Sequence, residues 1–206
     1  MKIALIFSGL PRLVEQSFQY FKERLLNNND IDIFSYVWKT DDYLKLDSFY
    51  DHKILQFQSP INFFSIRQQT PINIYSHWYS IQQGCLSFKN YVEQNNLEYD
   101  LIIRTRHDIA LYYKIEFDKL DKNYLYVADC HWPNHYLFDD NLMILNQQNY
   151  FKVFSNLFNW YDNRKDINVG HQIPEQQLQQ YLEHINLKNK IVRNKNLDFI
   201  LTRGLL

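Results

Sequence analysis

Short apolar runs in the N-terminal half alternate with stretches whose apolar residues fall at helical spacing. No other feature constrains the fold as strongly. Residues 2–7 are aliphatic and β-branched and stop at Ser8-Gly9-Leu10-Pro11-Arg12, which reads as a buried first strand followed by a turn. Val14, Phe18, Phe21 and Leu25 then recur at helical spacing. Ile31 to Trp38 and Lys53 to Phe57 read as further strands, separated by an Asp-rich stretch from Lys39 to Asp51 with a short helix. The clearest helix covers Ser76 to Gln94, where Trp78, Ile81, Cys85, Phe88 and Val92 form one stripe, and it feeds a strand at 100–106. Strands feeding helices in this order predict an α/β fold with a mostly parallel central sheet flanked by helices.

The second half is less regular. Tyr124 to Ala128 and Asn141 to Leu145 read as strands, Gln148 to Asp162 as one amphipathic helix, and Pro60 to Pro71 as loop. Pro174-Glu175 opens a helix with proline in its first turn, running to about His184. Lys190 to Val192 and Leu197 to Leu201 read as a last pair of short strands. With no internal repeat and no linker composition, the 206 residues are expected to form one domain, 1–206.

An apolar fraction of 46% with 17% aromatics excludes a disordered chain. A net charge of −1, with the two signs interspersed, argues against a nucleic-acid partner, whose phosphates need a concentrated basic surface. Cys85 and Cys130 show no CxxC spacing, so a reduced, cytoplasmic protein is the simple expectation. The apolar start, Met1 to Phe7, is too short for a signal peptide, and no segment approaches membrane-spanning length. Any work at a membrane is therefore expected from its surface.

The segment Tyr99 to Ile109 carries the strongest functional signal. If its strand continues, Arg104, Arg106 and Asp108 share one face. Charges at the end of a core strand are normally paired or bound to something. Two readings stay open: a bidentate ion-pair network bracing the sheet, or arginines on a diphosphate with Asp108 on a metal or on sugar hydroxyls. Ligands of open α/β sheets bind outside the carboxyl ends of the strands. The turn after the first strand suits the same edge, since Gly9 admits close backbone approach and a helix N-terminus with Arg12 receives phosphate. An ordinary strand-to-helix turn with a surface arginine is the competing reading. It is not GxGxxG, so a dinucleotide site is unsupported.

Downstream, Asp129, Asp139 and Asp140 flank the loop Cys130 to Tyr136, whose Trp, Tyr, His and Asn side chains suit stacking on sugars; covering the core is the alternative. Pro133 between His131 and His135 argues against a helical metal pair. Asp140, just before a strand, is a candidate general base. Glu175 stands in a first helical turn, where the dipole favours an acid whatever its function. His171, in the loop before it, is a weaker candidate for a metal or phosphate. Hydrolase elbows, HExxH and P-loops are missing, and with them those chemistries.

Five segments, Ile6-Phe7-Ser8-Gly9-Leu10-Pro11-Arg12, Asp32-Ile33-Phe34-Ser35-Tyr36-Val37-Trp38, Trp78-Tyr79-Ser80-Ile81, Tyr99 to Asp108 and Pro174-Glu175-Gln176-Gln177-Leu178, give the chain a family likeness. In this order it resembles the small GT-A-like glycosyltransferases of bacterial and viral surface polysaccharide biosynthesis. The resemblance implies a GT-A-like (Rossmann-like) sheet with an irregular C-terminal half, the nucleotide-binding half at about 1–110 and the acceptor-side half at about 111–206. It implies a hexosyltransferase-type enzyme that moves a sugar from a nucleotide-sugar donor to a hydroxyl of a surface glycan, as in lipopolysaccharide, or of a lipid-linked acceptor. Such an enzyme is cytoplasmic and sits peripherally at the inner face of the membrane. Ser8, Gly9, Arg12, Arg104, Arg106 and Asp108 would bind the donor. Asp108 takes the last place of the usual Asp-x-Asp motif, while Arg106 stands at its first. A divalent cation, Mn²⁺ or Mg²⁺, would be held by Asp108 and the diphosphate, with His171 a weaker ligand, or arginines would replace it. Charge on the departing diphosphate needs stabilising in either case. For an inverting reaction, Asp140 and then Glu175 are the candidate bases. The rival readings are a non-catalytic carbohydrate- or nucleotide-binding domain, which the incomplete acidic motif favours, and a scaffold module of a polysaccharide-assembly complex.

Overall fold

The strand at 2–7 is apolar on both faces because it lies in the middle of the sheet. In the computed structural model, which describes residues 1–27, 29–63, 72–129, 139–164 and 173–202, this strand is β1 (Ile3–Gly9). It pairs in parallel with β2 (Ile31–Trp38) on one side and β4 (Leu101–Thr105) on the other, and β2 pairs in parallel with β3 (His52–Gln58). Beyond β4 the direction reverses. β7 (Leu142–Leu145) is antiparallel to β4, β6 (Leu125–Ala128) is antiparallel to β7, and β8 (Ile191–Asn194) is parallel to β6. The order in this seven-stranded sheet is β3-β2-β1-β4-β7-β6-β8. A separate antiparallel ribbon joins β5 (Ile109–Leu111) to β9 (Phe199–Leu201).

The period of two along each strand splits the core between the two faces. Ala4, Ile6 and Ile102 pack in one apolar cluster with α3 (Ile72–Gln94), α4 (Gln147–Phe154), α5 (Leu157–Asn163) and α6 (Pro174–His184). Ile3, Leu5, Phe7, Leu101 and Ile103 pack in the other, with α1 (Val14–Phe21), the short α2 (Leu46–Phe49) and the β5–β9 ribbon. Burial on both faces is why these strands read as continuous apolar runs and not as alternating ones.

Three elements depart from the sequence pattern, the first for a tertiary reason. The helix predicted over Gln148 to Asp162 is two helices, broken at Ser155–Asn156. Gln82 of α3, buried at this joint, accepts hydrogen bonds from the Phe158 and Asn159 N–H groups at 2.8 and 3.2 Å and so supplies the cap that Asn156 does not. The two last strands do not pair with each other; β8 extends the main sheet while β9 joins β5. The first helix widens after Phe21 into π-helical turns over Lys22–Leu26.

How α3 meets the sheet decides where a site can form. A Cβ on Gly84 would sit 3.3 Å from Tyr36 Cβ, so the helix rests directly on β2, and one on Gly9 would sit 3.8 Å from Ser80 Oγ. Helix and strands run in opposite senses, so the first turns of α3 overhang the carboxyl ends of β1 and β2. The buried Trp78 indole donates to Gln177 Oε1 at 2.7 Å, which draws α6 against the same turns. Among the described residues no helix is long and apolar enough to cross a membrane.

Replacing Gln82 with methionine removes the acceptor for two first-turn amides of α5. Urea denaturation of Gln82→Met is expected to show a loss of about 1–3 kcal/mol; unchanged stability would mean that water caps the helix instead.

Candidate active site

β1, β2 and β4 finish at one edge, and the chain leaves each differently. Gly9 ends β1 with φ +100°, a backbone conformation that side chains disfavour. Leu13, at φ 50°, turns the chain into α1. The turn between them, the last residue of β2 and the overhanging turns of α3 enclose a cleft. Its walls are Ser8, Gly9, Leu10, Arg12, Trp38, Ser76, His77, Ser80 and Arg106. Ser8 is only 5% exposed and its hydroxyl has no hydrogen-bond partner. A buried hydroxyl left unpaired on a cleft wall calls for a polar ligand or water. Trp38 is held by Tyr79 of α3, ring on ring at 5.8 Å.

Alternation predicts that Arg104, Arg106 and Asp108 line one extended face; instead β4 stops at Thr105 and the three diverge. Arg104 is 1% exposed and turns inward, donating from Nη1 to the Asp140 carbonyl oxygen, and it is not part of the cleft wall. Burial brings its pKa down to about 10 against the pull of the Asp140 carboxylate. Arg106, past the end of the strand, does reach the cleft. Its Nε and Nη2 grip the two oxygens of buried Asp108 at 2.7 Å each, and Nη1 donates to Asn141 Oδ1 at 3.1 Å. The bracing and ligand-facing readings therefore meet in one side chain. His107 between them stacks on Phe7 with 4.2 Å between ring centres. Burial drops its pKa to about 3, so it packs as a neutral ring.

Asp140 and Glu175, far apart in sequence, come together beside this cleft. Asp140 precedes β7, is 4% exposed, and places Oδ2 2.5 Å from His77 Nε2. Burial works to raise its pKa, but His77, Arg104 and Arg106 outweigh burial and hold the carboxyl below its ordinary value. Burial lowers the His77 pKa, Arg104 and Arg106 add to that, and Asp140 opposes without reversing it. The network thus assigns a neutral imidazole that donates from Nε2 and leaves Nδ1 able to accept a proton. Glu175, in the first turn of α6, is pushed up to about 7 by burial and by the Asp140 and Asp139 carboxylates. Asp139 Oδ1 accepts both the backbone and side-chain N–H of Asn141, at 2.7 and 2.9 Å, which aims the amide oxygen that meets Arg106. Arg12 stands exposed on the cleft wall. His171 and the loop Cys130 to Tyr136 lie outside the described residues.

Comparison with solved structures follows from this topology. The galactosyltransferase LgtC in complex with donor and acceptor sugar analogs superposes with a TM-score of 0.51 at 12% identity, covering 94% of this chain and 73% of LgtC. An active-site mutant of LgtC gives 0.52 at 11% identity, covering 94% and 72%. The fold is GT-A-like. The glycosyltransferase GlyE of Streptococcus pneumoniae TIGR4 superposes at 0.46 with 14% identity, covering 95% of this chain; the chain spans 46% of the length of GlyE. No family model and no curated protein matches the sequence.

His77 was not legible as a site residue, because in sequence it is the polar neighbour of Trp78 in a helix stripe. A histidine beside the stripe, on the turns nearest the strand ends, was the available signal. The cation expected on Asp108 does not fit the residues as arranged. Both Asp108 oxygens are filled by the Arg106 fork, and among the described residues no group of three His, Cys, Asp or Glu side chains is placed to hold a metal ion.

The Glu175 surroundings have a pH signature. Its folded pKa, about 7, lies above the ordinary 4.5, so the contribution to stability is full below 4.5 and is lost as pH rises through about 7. Glu175→Gln is expected to remove that loss, gaining about 1–2 kcal/mol over wild type at pH 8 after solvent screening. The Glu175 carboxyl carbon followed by NMR is expected to titrate near 7; an ordinary midpoint would mean that Asp139 and Asp140 do not act on it.

Proposed function

We propose that this chain is a glycosyltransferase that moves a sugar from a nucleotide-sugar donor to an acceptor hydroxyl. One observation carries the reading. At a single edge of a GT-A-like sheet, a wall suited to a diphosphate (Arg12, Arg106 and the unpaired Ser8 hydroxyl) adjoins a group suited to proton transfer (His77 on Asp140, with Glu175 near). In this reading the acceptor oxygen attacks the anomeric carbon as its bond to the diphosphate breaks. Negative charge grows on the departing phosphate oxygen and meets the guanidinium groups, that of Arg106 already oriented by Asp108, in a partly dry cleft. The acceptor proton goes to His77 Nδ1. Asp140 is the positioning residue that fixes the ring and stabilises the imidazolium that forms, and Glu175 is the second proton acceptor.

The sequence resemblance supports finer statements of the same proposal: a surface glycan or lipid-linked acceptor, hexosyl transfer, and a cytoplasmic enzyme at the inner face of the membrane. That LgtC is a galactosyltransferase seen with donor and acceptor sugar analogs supports the hexosyl class. A second reading, donor binding without turnover, is favoured by one observation: the only acid of the Asp-x-Asp position, Asp108, is spent on Arg106.

Hydrolysis and transfer assays with UDP-, GDP- and dTDP-sugars, with and without Mn²⁺, separate the two. Turnover of at least one donor is expected, and His77→Gln is expected to slow it about 100-fold or more while nucleotide affinity holds. Binding without turnover across several acceptors supports the second reading. Failure to bind any nucleotide sugar removes both.

A further inference from the structure

We infer that the donor diphosphate is held without a divalent cation, Arg106 supplying the positive charge and Asp108 serving as the brace of Arg106. The inference rests on the glycosyltransferase reading and specifies the chemistry of its donor site. Three features of the edge lead to it.

The first is the composition of the cleft wall. A hard cation such as Mg²⁺ takes oxygen ligands, usually one or two carboxylates plus substrate phosphates. Among the described residues the wall offers serines, a tryptophan, His77 and two arginines, and no carboxylate. The second is the state of the nearest acids. Asp108 is 1% exposed and gives both oxygens to Arg106, and Asp140 gives Oδ2 to His77 at 2.5 Å. To bind a cation, Asp108 would have to release Arg106. That would bring the cation toward a freed guanidinium, close to the fully buried guanidinium of Arg104.

The third feature is what remains of Arg106. A guanidinium has five N–H donors in a rigid fork. Asp108 takes one from Nε and one from Nη2, and Asn141 takes one from Nη1. One N–H on Nη1 and one on Nη2 are left, both in the guanidinium plane and available to phosphate oxygens. The Asp108 carboxylate fixes that plane and so spares the ordering cost of a long free side chain. Arg12 and the Ser8 hydroxyl add a second cation and a further donor to the same wall. Asp108 is thus a positioning residue that does not touch the donor.

Calorimetric titration of the intact chain with UDP, GDP and dTDP, once in EDTA and once in excess Mn²⁺, tests this. The expected result is one nucleotide bound with the same Kd in both buffers, within about twofold. Arg106→Ala and Arg106→Lys are both expected to weaken it about tenfold or more, lysine failing because a point charge does not replace a fork. Asp108→Asn is expected to weaken binding equally in EDTA and in Mn²⁺, with circular dichroism showing each variant folded. Mn²⁺ alone, followed by its EPR signal, is expected to stay free. Nucleotide binding that appears only with Mn²⁺, or an Asp108→Asn loss confined to Mn²⁺, overturns the inference and leaves the glycosyltransferase reading standing. No binding in either buffer overturns both.

Discussion

The buried guanidinium of Arg104 is the contact on which the active edge depends. It sits at the end of β4, fully enclosed, and donates to the main-chain oxygen of Asp140 at the start of β7. β4 and β7 are antiparallel, so this bond ties the point where one strand leaves the sheet to the point where the other enters. Asp140, Asn141 and through them His77 and Arg106 take their places from that tie. A charge so deeply enclosed is tolerated only where opposite charge and acceptors face it. Asp140 provides the opposite charge by its carboxylate field and one acceptor by its carbonyl, while Nε and Nη2 have no acceptor among the described residues. Removing either partner would leave an uncompensated buried charge, which typically costs about 3–5 kcal/mol.

The same enclosure sets the protonation states. Arg104 and Arg106 keep Asp140 ionised despite burial, and they help keep His77 neutral despite the carboxylate at its Nε2. Glu175 sees only the two aspartates and the loss of water, and so moves the other way, up to about 7. Two carboxyls of one cluster are thereby driven apart, one fixed as an anion and one poised near neutrality. Environments that separate the pKa values of neighbouring acids are how acid–base roles are divided.

What the sequence made legible was whatever depends on local period or on a local cap. The parallel strands were readable because strands covered on both faces show continuous apolar runs, and α6 because its proline marks the first turn. That Ser8, Gly9 and Arg12 line one cleft was readable because a glycine turn between strand and helix already implies a strand end. What stayed hidden depends on a distant partner. The inward turn of Arg104 has its partner in Asp140, 36 residues on. The break before Leu157 is set by Gln82 of another helix. His77 reaches the cleft only because α3 overhangs the strand ends, a consequence of Gly84 lying on Tyr36 that no periodicity encodes. Asp139 reads as one more loop acid until its bond to Asn141 is seen to aim the oxygen that steadies Arg106.

On the proposed reading, this division accounts for an acidic motif of one residue. With Arg106 in its first place, the remaining Asp108 no longer needs to face the cleft; its work is to hold a fork in plane. A cation brings a large charge and needs several oxygens around it, whereas a braced guanidinium brings a smaller charge with direction built in. On the proposed reading, direction matters more where a second arginine stands on the same wall, since each guanidinium would then meet a different phosphate oxygen. The exchange also relaxes the neighbourhood. On the same reading the acids on the far side are left to serve the proton: Asp140 gives its carboxylate to His77, and Glu175 stays half-protonated beside it. On the proposed reading, the single arginine at the strand end shapes both halves of the cleft, the charge that would receive the leaving group and the acids left over for the acceptor.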